Sequence, residues 1–290
     1  MMKILVTGAN GQLGSEIKKL SPLFSRFEFI FTDVNELDIT DRQACREMFD
    51  RQKPFFVINC AAYTAVDKAE SDTELAWKLN VGAVENLVSA CEICGSYFIH
   101  ISTDYVFDGK SYIPYVETDK TAPQSEYGKG KLAGENVALS YSKSAVIRTS
   151  WLYSAIGSNF VKTIAKLAGE RKSLNVVFDQ TGTPTYAGDL ALTILQIADK
   201  IAGGEKEFAA GIYHYSNEGV CSWYDFACAI VKIKRLDCKI NPVETKDYPV
   251  RATRPPYSVL NKSKIKSAYD VEINHWHTSL EKMLNIKSED

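Results

Sequence analysis

The sequence predicts an α/β protein built on a doubly wound parallel sheet, with a smaller α+β unit towards the C-terminus. Two observations predict it. Over residues 1–150, short apolar runs alternate with longer helix-like stretches, the pattern of repeated βαβ units. Beyond residue 150 the alternation loosens, and short β-like runs are scattered among helices. Within the first half, the predicted strands are Lys3–Val6, Phe27–Phe31, Phe55–Cys60, Tyr97–Ser102 and Ala145–Arg148. Their apolar residues run largely in succession and not in alternation, as suits strands covered on both faces. The predicted helices between them are Gln12–Leu20, Arg42–Gln52, Asp72–Cys94 and Tyr127–Ser140. In the second half the helix-like segments are Phe160–Ala168, Gly188–Ile201 and Trp223–Ile233. The β-like runs there are Leu174–Phe178 and Gly211–Tyr215, and prolines gather at Pro249, Pro255 and Pro256.

Bulk chemistry removes several functional classes. Lys and Arg total 34 against 36 Asp and Glu, a net charge of -2, so the basic footprint of a nucleic-acid partner is missing. No apolar run approaches the roughly 20 residues needed to cross a bilayer. The N-terminus lacks the apolar core of a signal peptide. Cysteines number seven, an odd count scattered along the chain, which reads as reduced thiols in a cytoplasmic protein.

Between the first strand and the first helix lies Thr7-Gly8-Ala9-Asn10-Gly11-Gln12-Leu13-Gly14. Gly8 suits the tight turn, Gly11 the close approach of a pyrophosphate, and Gly14 the packing of helix on strand. The helix N-terminus then offers free N–H groups and a positive dipole end to phosphates. Strand, glycine loop and helix in that order indicate a Rossmann-type nucleotide site. Asp33 ends the second strand, where a carboxylate accepts from ribose hydroxyls and repels a 2′-phosphate. It favours NAD(H), with NADP(H) left open; Asp38 and Ile39 are placed to flank the adenine. The expected division is a dinucleotide-binding domain over 1–150, with segments from about 187–215 returning to it. A mainly substrate-binding domain covers 151–290.

Tyr127 and Lys131 are four residues apart, on one face of a predicted helix. An ammonium beside a phenol is expected to lower the phenol's pKa, so that Tyr127 exchanges a proton with a carbonyl oxygen. Lys131 can also hold the nicotinamide ribose. Ser102 and Thr103 end the fourth strand, at the sheet edge where ligands of such folds sit. They point to opposite sides if the strand continues, so only one is expected to orient the carbonyl.

These features resemble the extended short-chain dehydrogenase/reductase superfamily and, within it, the dTDP-4-dehydrorhamnose reductase family. The matching segments are TGANGQLG at 7–14, VINCAAYTAVDKAE at 57–70, STDYVFDG at 102–109, ETD at 117–119, YGKGKLAGE at 127–135, RTSWLY at 148–153, DQTGTPT at 179–185 and RP at 254–255. The resemblance implies hydride transfer from NAD(P)H to the 4-keto group of a dTDP-linked 4-keto-6-deoxy sugar. It implies catalytic roles for Thr103, Tyr127 and Lys131. It places the cofactor along Gly8, Asn10, Gly11, Gln12, Leu13, Gly14, Asp33, Asp38, Ile39, Ala61, Ala62 and Tyr63, and the substrate against Thr103, Asp104, Tyr105, Trp151 and Arg254. Asn80 is structural or orders a water. Some members join two subunits through magnesium. Glu16 matches one acidic position, but Asp189 stands where a longer Glu is found, so no metal is expected, and a homodimer stays open. Two other readings stay open as well. One is another epimerase, dehydratase or reductase of nucleotide sugars. The other is a regulatory subunit similar to the β-subunit of methionine adenosyltransferase, against which the intact Thr103, Tyr127 and Lys131 set argues. Cys91-x-x-Cys94 lies within a helical stretch, without a second pair at zinc spacing, and reads as packing. His275 and His277, flanking Trp276, are read as surface or packing residues, since two ligands do not make a zinc site.

Overall fold

A computed structural model describes residues 1–248 and 251–285 of the chain. Pro249 lies outside the described residues. The first half runs β1 (Met2–Thr7), α1 (Gln12–Leu20), β2 (Phe27–Thr32), α2 (Arg42–Gln52) and β3 (Phe56–Asn59). It continues with α3 (Val66–Ala69), α4 (Thr73–Trp77), α5 (Ala83–Cys94), β4 (Tyr97–Thr103), α6 (Glu126–Leu139) and β5 (Ser144–Thr149). The strand Gly211–His214 then returns to pair with β5. The sheet order is β2-β1-β3-β4-β5 and Gly211–His214, and every pairing is parallel. The predicted doubly wound α/β class is therefore the observed one.

The continuous apolar runs are explained by two cores, one on each sheet face. Ile4, Val6, Phe56, Ile58, Ile99 and Ile147 point into the first, closed by Ile17 of α1 and by Leu190, Ile194 and Leu195 of the helix Ala187–Ala202. Their neighbours Leu5, Val57, Phe98 and Val146 point into the second, closed by Phe49 of α2, Leu87 and Cys91 of α5, and Ala138 of α6. Each such side chain removed from water contributes about 1.5–3 kcal/mol, so successive strand residues stabilise opposite faces. Cys91 belongs to this core, as packing, and no helix of the described residues is long and apolar enough to cross a membrane.

A third core gathers the helices Phe160–Glu170, Trp223–Ile233 and Trp276–Asn285 around the parallel pair Ser173–Val177 and Lys239–Val243. The sequence did not signal Lys239–Val243 as a strand, because Pro242 interrupts it. A two-stranded pair has only edges, where a proline costs no ladder bond facing solvent. The single helix expected over 72–94 is broken by a π turn at Lys78–Gly82. Within that turn Asn80 is buried and brackets Tyr63: Oδ1 accepts from its N–H at 3.0 Å, and Nδ2 donates to its carbonyl at 3.2 Å. Asn80 is thus a structural brace for the loop after β3.

Helix α6 is tied to β5 by an ion pair sealed from water. Arg148 Nε and Nη2 donate to the Glu135 carboxylate at 2.9 and 2.7 Å, with the two side chains 2% and 1% exposed. The guanidinium also lies 5.0 Å from the centre of the Phe107 ring. Removing one partner strands a buried charge. Glu135→Ala is expected to cost about 3–5 kcal/mol in urea unfolding. A loss below about 1 kcal/mol, the range of exposed pairs, would contradict this role.

Candidate active site

A cleft of about 920 Å³ opens over the carboxyl ends of the strands, where the order reverses between β1 and β3. The glycine loop forms its floor. Gly8 has φ +64°, and a Cβ there would lie 2.7 Å from the Ala61 Cα. A Cβ on Gly14 would strike the Gly8 carbonyl and lie 2.6 Å from the Ala9 Cα, so this glycine packs behind the loop and not in the cleft. Gly11 is the N-cap of α1 and provides no capping side chain, which leaves the first helical N–H groups free for an anion. Asn10, Gln12 and Leu13 line the floor.

Asp33 lies on the cleft wall and braces the same loop, accepting from the Asn10 N–H at 3.0 Å and the Val34 N–H at 2.9 Å. Asp38 and Ile39 also line the wall, and Asp38 accepts from the backbone and hydroxyl of Thr40 at 2.9 and 2.7 Å. Ala61 and Ala62 face the cleft. Tyr63 does not: its backbone is held by Asn80 and its phenol bonds Asp72 at 3.2 Å, while Thr64 takes the lining position.

Tyr127, Lys131 and Thr103 meet at the far wall. Ser125 caps α6 by accepting from the Gly128 N–H at 3.1 Å, which sets Tyr127 in the first turn and Lys131 one turn on. The Thr103 hydroxyl donates to Asp104 at 3.0 Å and accepts from the Tyr105 N–H at 3.2 Å. Ser102 and Thr103 both border the cleft. The backbone stays extended through Thr103, so the pleat still separates the two: the Thr103 hydroxyl joins Asp104 and Tyr105, while the Ser102 hydroxyl is buried with no hydrogen-bond partner among the described residues.

The electrostatics correct one expectation. Lys131 does not lower the Tyr127 phenol in this structure. Burial pushes that phenol up to about 12; the Thr103 hydroxyl beside it opposes the rise, and the Asp104 charge adds to it. The reason is that the Lys131 ammonium turns to the Ile101 carbonyl, to which it donates at 2.7 Å, and to His100. Burial brings Lys131 itself down to about 8, against the pull of Glu135. Burial likewise raises Asp104 to about 6.

The second half of the chain supplies the opposite wall. Trp151 lines it with φ +48°, a left-handed conformation that a bulky residue adopts only when its surroundings dictate it. Its ring stacks on Trp223 at 3.6 Å and 8°. Trp223 was not foreseen, since an aromatic opening a helix reads as core. Gly157 and Ser158 also line the cleft unforeseen, and Asn159 next to them donates to Gln12 at 2.9 Å, clasping the glycine loop. Tyr105 faces the cleft and meets Tyr127 edge-on at 5.5 Å. Arg254 is not on the lining: its guanidinium pairs with Asp67 at 2.7 Å.

Glu16 and Asp189 lie elsewhere, on α1 and the helix packed against it. Asp189 accepts from Asn217 at 2.9 Å and from the Ser279 hydroxyl, and Lys282 stands 3.6 Å away. A carboxylate engaged by an amide, a hydroxyl and an ammonium is a poor magnesium ligand. Among the described residues no group of three or more His, Cys, Asp or Glu is arranged to hold a metal ion.

A family model described as the RmlD substrate binding domain matches residues 2–288. A protein of Aggregatibacter actinomycetemcomitans named dTDP-4-dehydrorhamnose reductase is 43% identical over 287 residues, 97% of each chain. The crystal structure of a dTDP-4-dehydrorhamnose reductase from Clostridium acetobutylicum superimposes with a TM-score of 0.92 at 43% identity, covering 98% of this chain and 99% of that one. Another from Bacillus anthracis, in complex with NADP, gives 0.91 at 36% identity with coverage of 98% and 99%. With a glycine loop, a strand-end threonine and a Tyr-Lys helix at one cleft, and a family match along nearly its whole length, this chain belongs to the RmlD substrate binding domain family.

Proposed function

We propose that the chain reduces the 4-keto group of dTDP-6-deoxy-L-lyxo-4-hexulose to give dTDP-L-rhamnose. The observation that carries this reading is the meeting of Thr103, Tyr127 and Lys131 in a cleft whose other end is the glycine loop. The names of the relatives support it. Gly8, Asn10, Gly11, Gln12 and Leu13 would hold the diphosphate of a nicotinamide cofactor, with Asp33, Asp38, Ile39, Ala61 and Ala62 along its nucleoside. That cofactor, in its reduced form, supplies the hydride.

The chain's own residues manage the proton. As the sugar carbonyl carbon gains a hydride, its oxygen gains charge. Tyr127, kept protonated by burial, gives its phenolic proton to that oxygen, so that C=O becomes CH–OH. The Thr103 hydroxyl is placed to orient the same oxygen. Lys131 stabilises the phenolate left on Tyr127. Asp104 and Tyr105 face the sugar, and the Trp151–Trp223 stack offers it a flat apolar wall. Arg254, held by its pair with Asp67, is proposed to meet the substrate diphosphate. In this division residues 1–150, with the returning segments of about 187–215, serve the cofactor, and 151–290 mainly the substrate.

Asp33 favours NADH, because its carboxylate is fixed on the wall by Asn10 and would oppose a 2′-phosphate. Asp33→Asn is expected to raise the ratio of kcat/KM for NADPH over NADH; an unchanged ratio would remove Asp33 from cofactor choice. Tyr127→Phe is expected to lower kcat by at least about 100-fold, with the cofactor dissociation constant little changed. Full turnover in that variant, followed as NADH consumption with the dTDP-keto-sugar, would overturn the reading.

A further inference from the structure

Behind Lys131 lies a buried titratable group that the reduction does not use. His100 sits within β4 with no exposed surface. Its ring nitrogens face different neighbours: Nδ1 is 3.1 Å from Asn59 Nδ2, and Nε2 is 3.4 Å from Lys131 Nζ.

Donors and acceptors decide which nitrogen carries the proton. Asn59 Oδ1 accepts from the Ala61 backbone N–H at 3.2 Å and from the Thr7 hydroxyl at 2.7 Å. A backbone N–H can only donate, so the atom facing it is the amide oxygen, and the amide nitrogen must face His100 as a donor. His100 Nδ1 therefore accepts. A neutral imidazole that accepts on Nδ1 bears its proton on Nε2. An imidazolium would set two N–H groups against each other at Asn59. Burial and the nearby Lys131 charge also hold His100 well below the usual histidine range.

We infer that His100 presents this Nε2–H donor to Lys131 Nζ and so biases that nitrogen towards the amine form. An amine has a lone pair to receive the His100 proton and keeps N–H groups for the Ile101 carbonyl at 2.7 Å. An ammonium has donors only and meets the imidazole donor to donor. The other charged and titratable groups around Lys131 are Glu135 of the same helix, bound to Arg148 of β5, and Tyr127 and Asp104 on the cleft wall. His100 is thus a positioning residue. Nζ thereby sheds its proton at lower pH than an exposed lysine, which sets the alkaline limit of a site that needs the ammonium beside the Tyr127 phenolate. This consequence rests on the reductase reading; the proton position does not.

The test uses the whole enzyme labelled with ¹⁵N-histidine. The His100 signals are assigned by comparison with His100→Gln and are expected to show Nε2 protonated and Nδ1 bare. Asn59→Asp turns residue 59 into an acceptor on every oxygen, and is expected to move the His100 proton to Nδ1. In His100→Gln the amide oxygen can accept from Nζ, and the alkaline limb of the pH profile of keto-sugar reduction is expected to rise by about one pH unit. If that variant does not fold, the Asn59→Asp spectrum still decides. A proton on Nδ1 in the unaltered enzyme, no tautomer change in Asn59→Asp, or an unmoved alkaline limb in folded His100→Gln would overturn the inference. Nε2–H in an enzyme that consumes no NADH with any nucleotide keto-sugar would overturn the reductase reading while supporting this one.

Discussion

The Glu135–Arg148 pair sets the height at which helix α6 sits on the sheet. Two charges this deeply buried are tolerable only as partners, and the two-point grip of the guanidinium leaves little freedom of rotation. Arg148 lies in β5 directly opposite Ser102 of β4. Lys131, one turn before Glu135 on α6, is thereby brought against Ile101 and His100 of β4, and Tyr127, one turn earlier still, beside Thr103. An interaction remote from any substrate thus determines whether hydroxyl, phenol and amine converge.

The same sheet edge explains the remainder of the cleft. Apart from His100 and Arg148, the buried strand interiors are mostly apolar, while the strand ends Thr7, Asn59, Thr103 and Thr149 are polar and buried, so polar groups gather at one rim. The glycine loop closes that rim on one side. The Trp151–Trp223 stack and the Asn159–Gln12 bond close it on the other. Enclosure then changes the acid–base chemistry. Burial raises the phenol and lowers the ammonium, so Tyr127 rests protonated and its proton leaves only as charge develops on the substrate oxygen.

Much of this was legible in the sequence, for physical reasons. The parallel strands are covered on both faces, and they stand out as runs of largely successive apolar residues. The loop at 7–14 needed glycine at Gly8 and Gly14, because backbone atoms occupy the space of a side chain there. What stayed hidden depended on contacts between distant segments. The π turn at Lys78–Gly82 leaves the helical periodicity of 72–94 intact to the eye, yet it places Asn80 against Tyr63. Trp223 and the Gly157–Asn159 clasp are far from the glycine loop in sequence and reach the cleft only through the second half's own core. The sign of the Tyr127 shift is not legible in the sequence, because the spacing of Tyr127 and Lys131 shows proximity but not desolvation. His100 was passed over inside an apolar run, where nothing marks it as the neighbour of Lys131.

The proposed reaction joins hydride and proton on a sugar carbonyl in this cleft. It is tested most directly by supplying NADH deuterated at the transferring position of nicotinamide C4, together with the dTDP-4-keto-6-deoxy sugar, and reading the product by NMR. One deuterium is expected at C4 of the sugar for each cofactor oxidised, with a hydroxyl proton drawn from solvent. A sugar without deuterium at C4, or one altered with no cofactor oxidised, would contradict it.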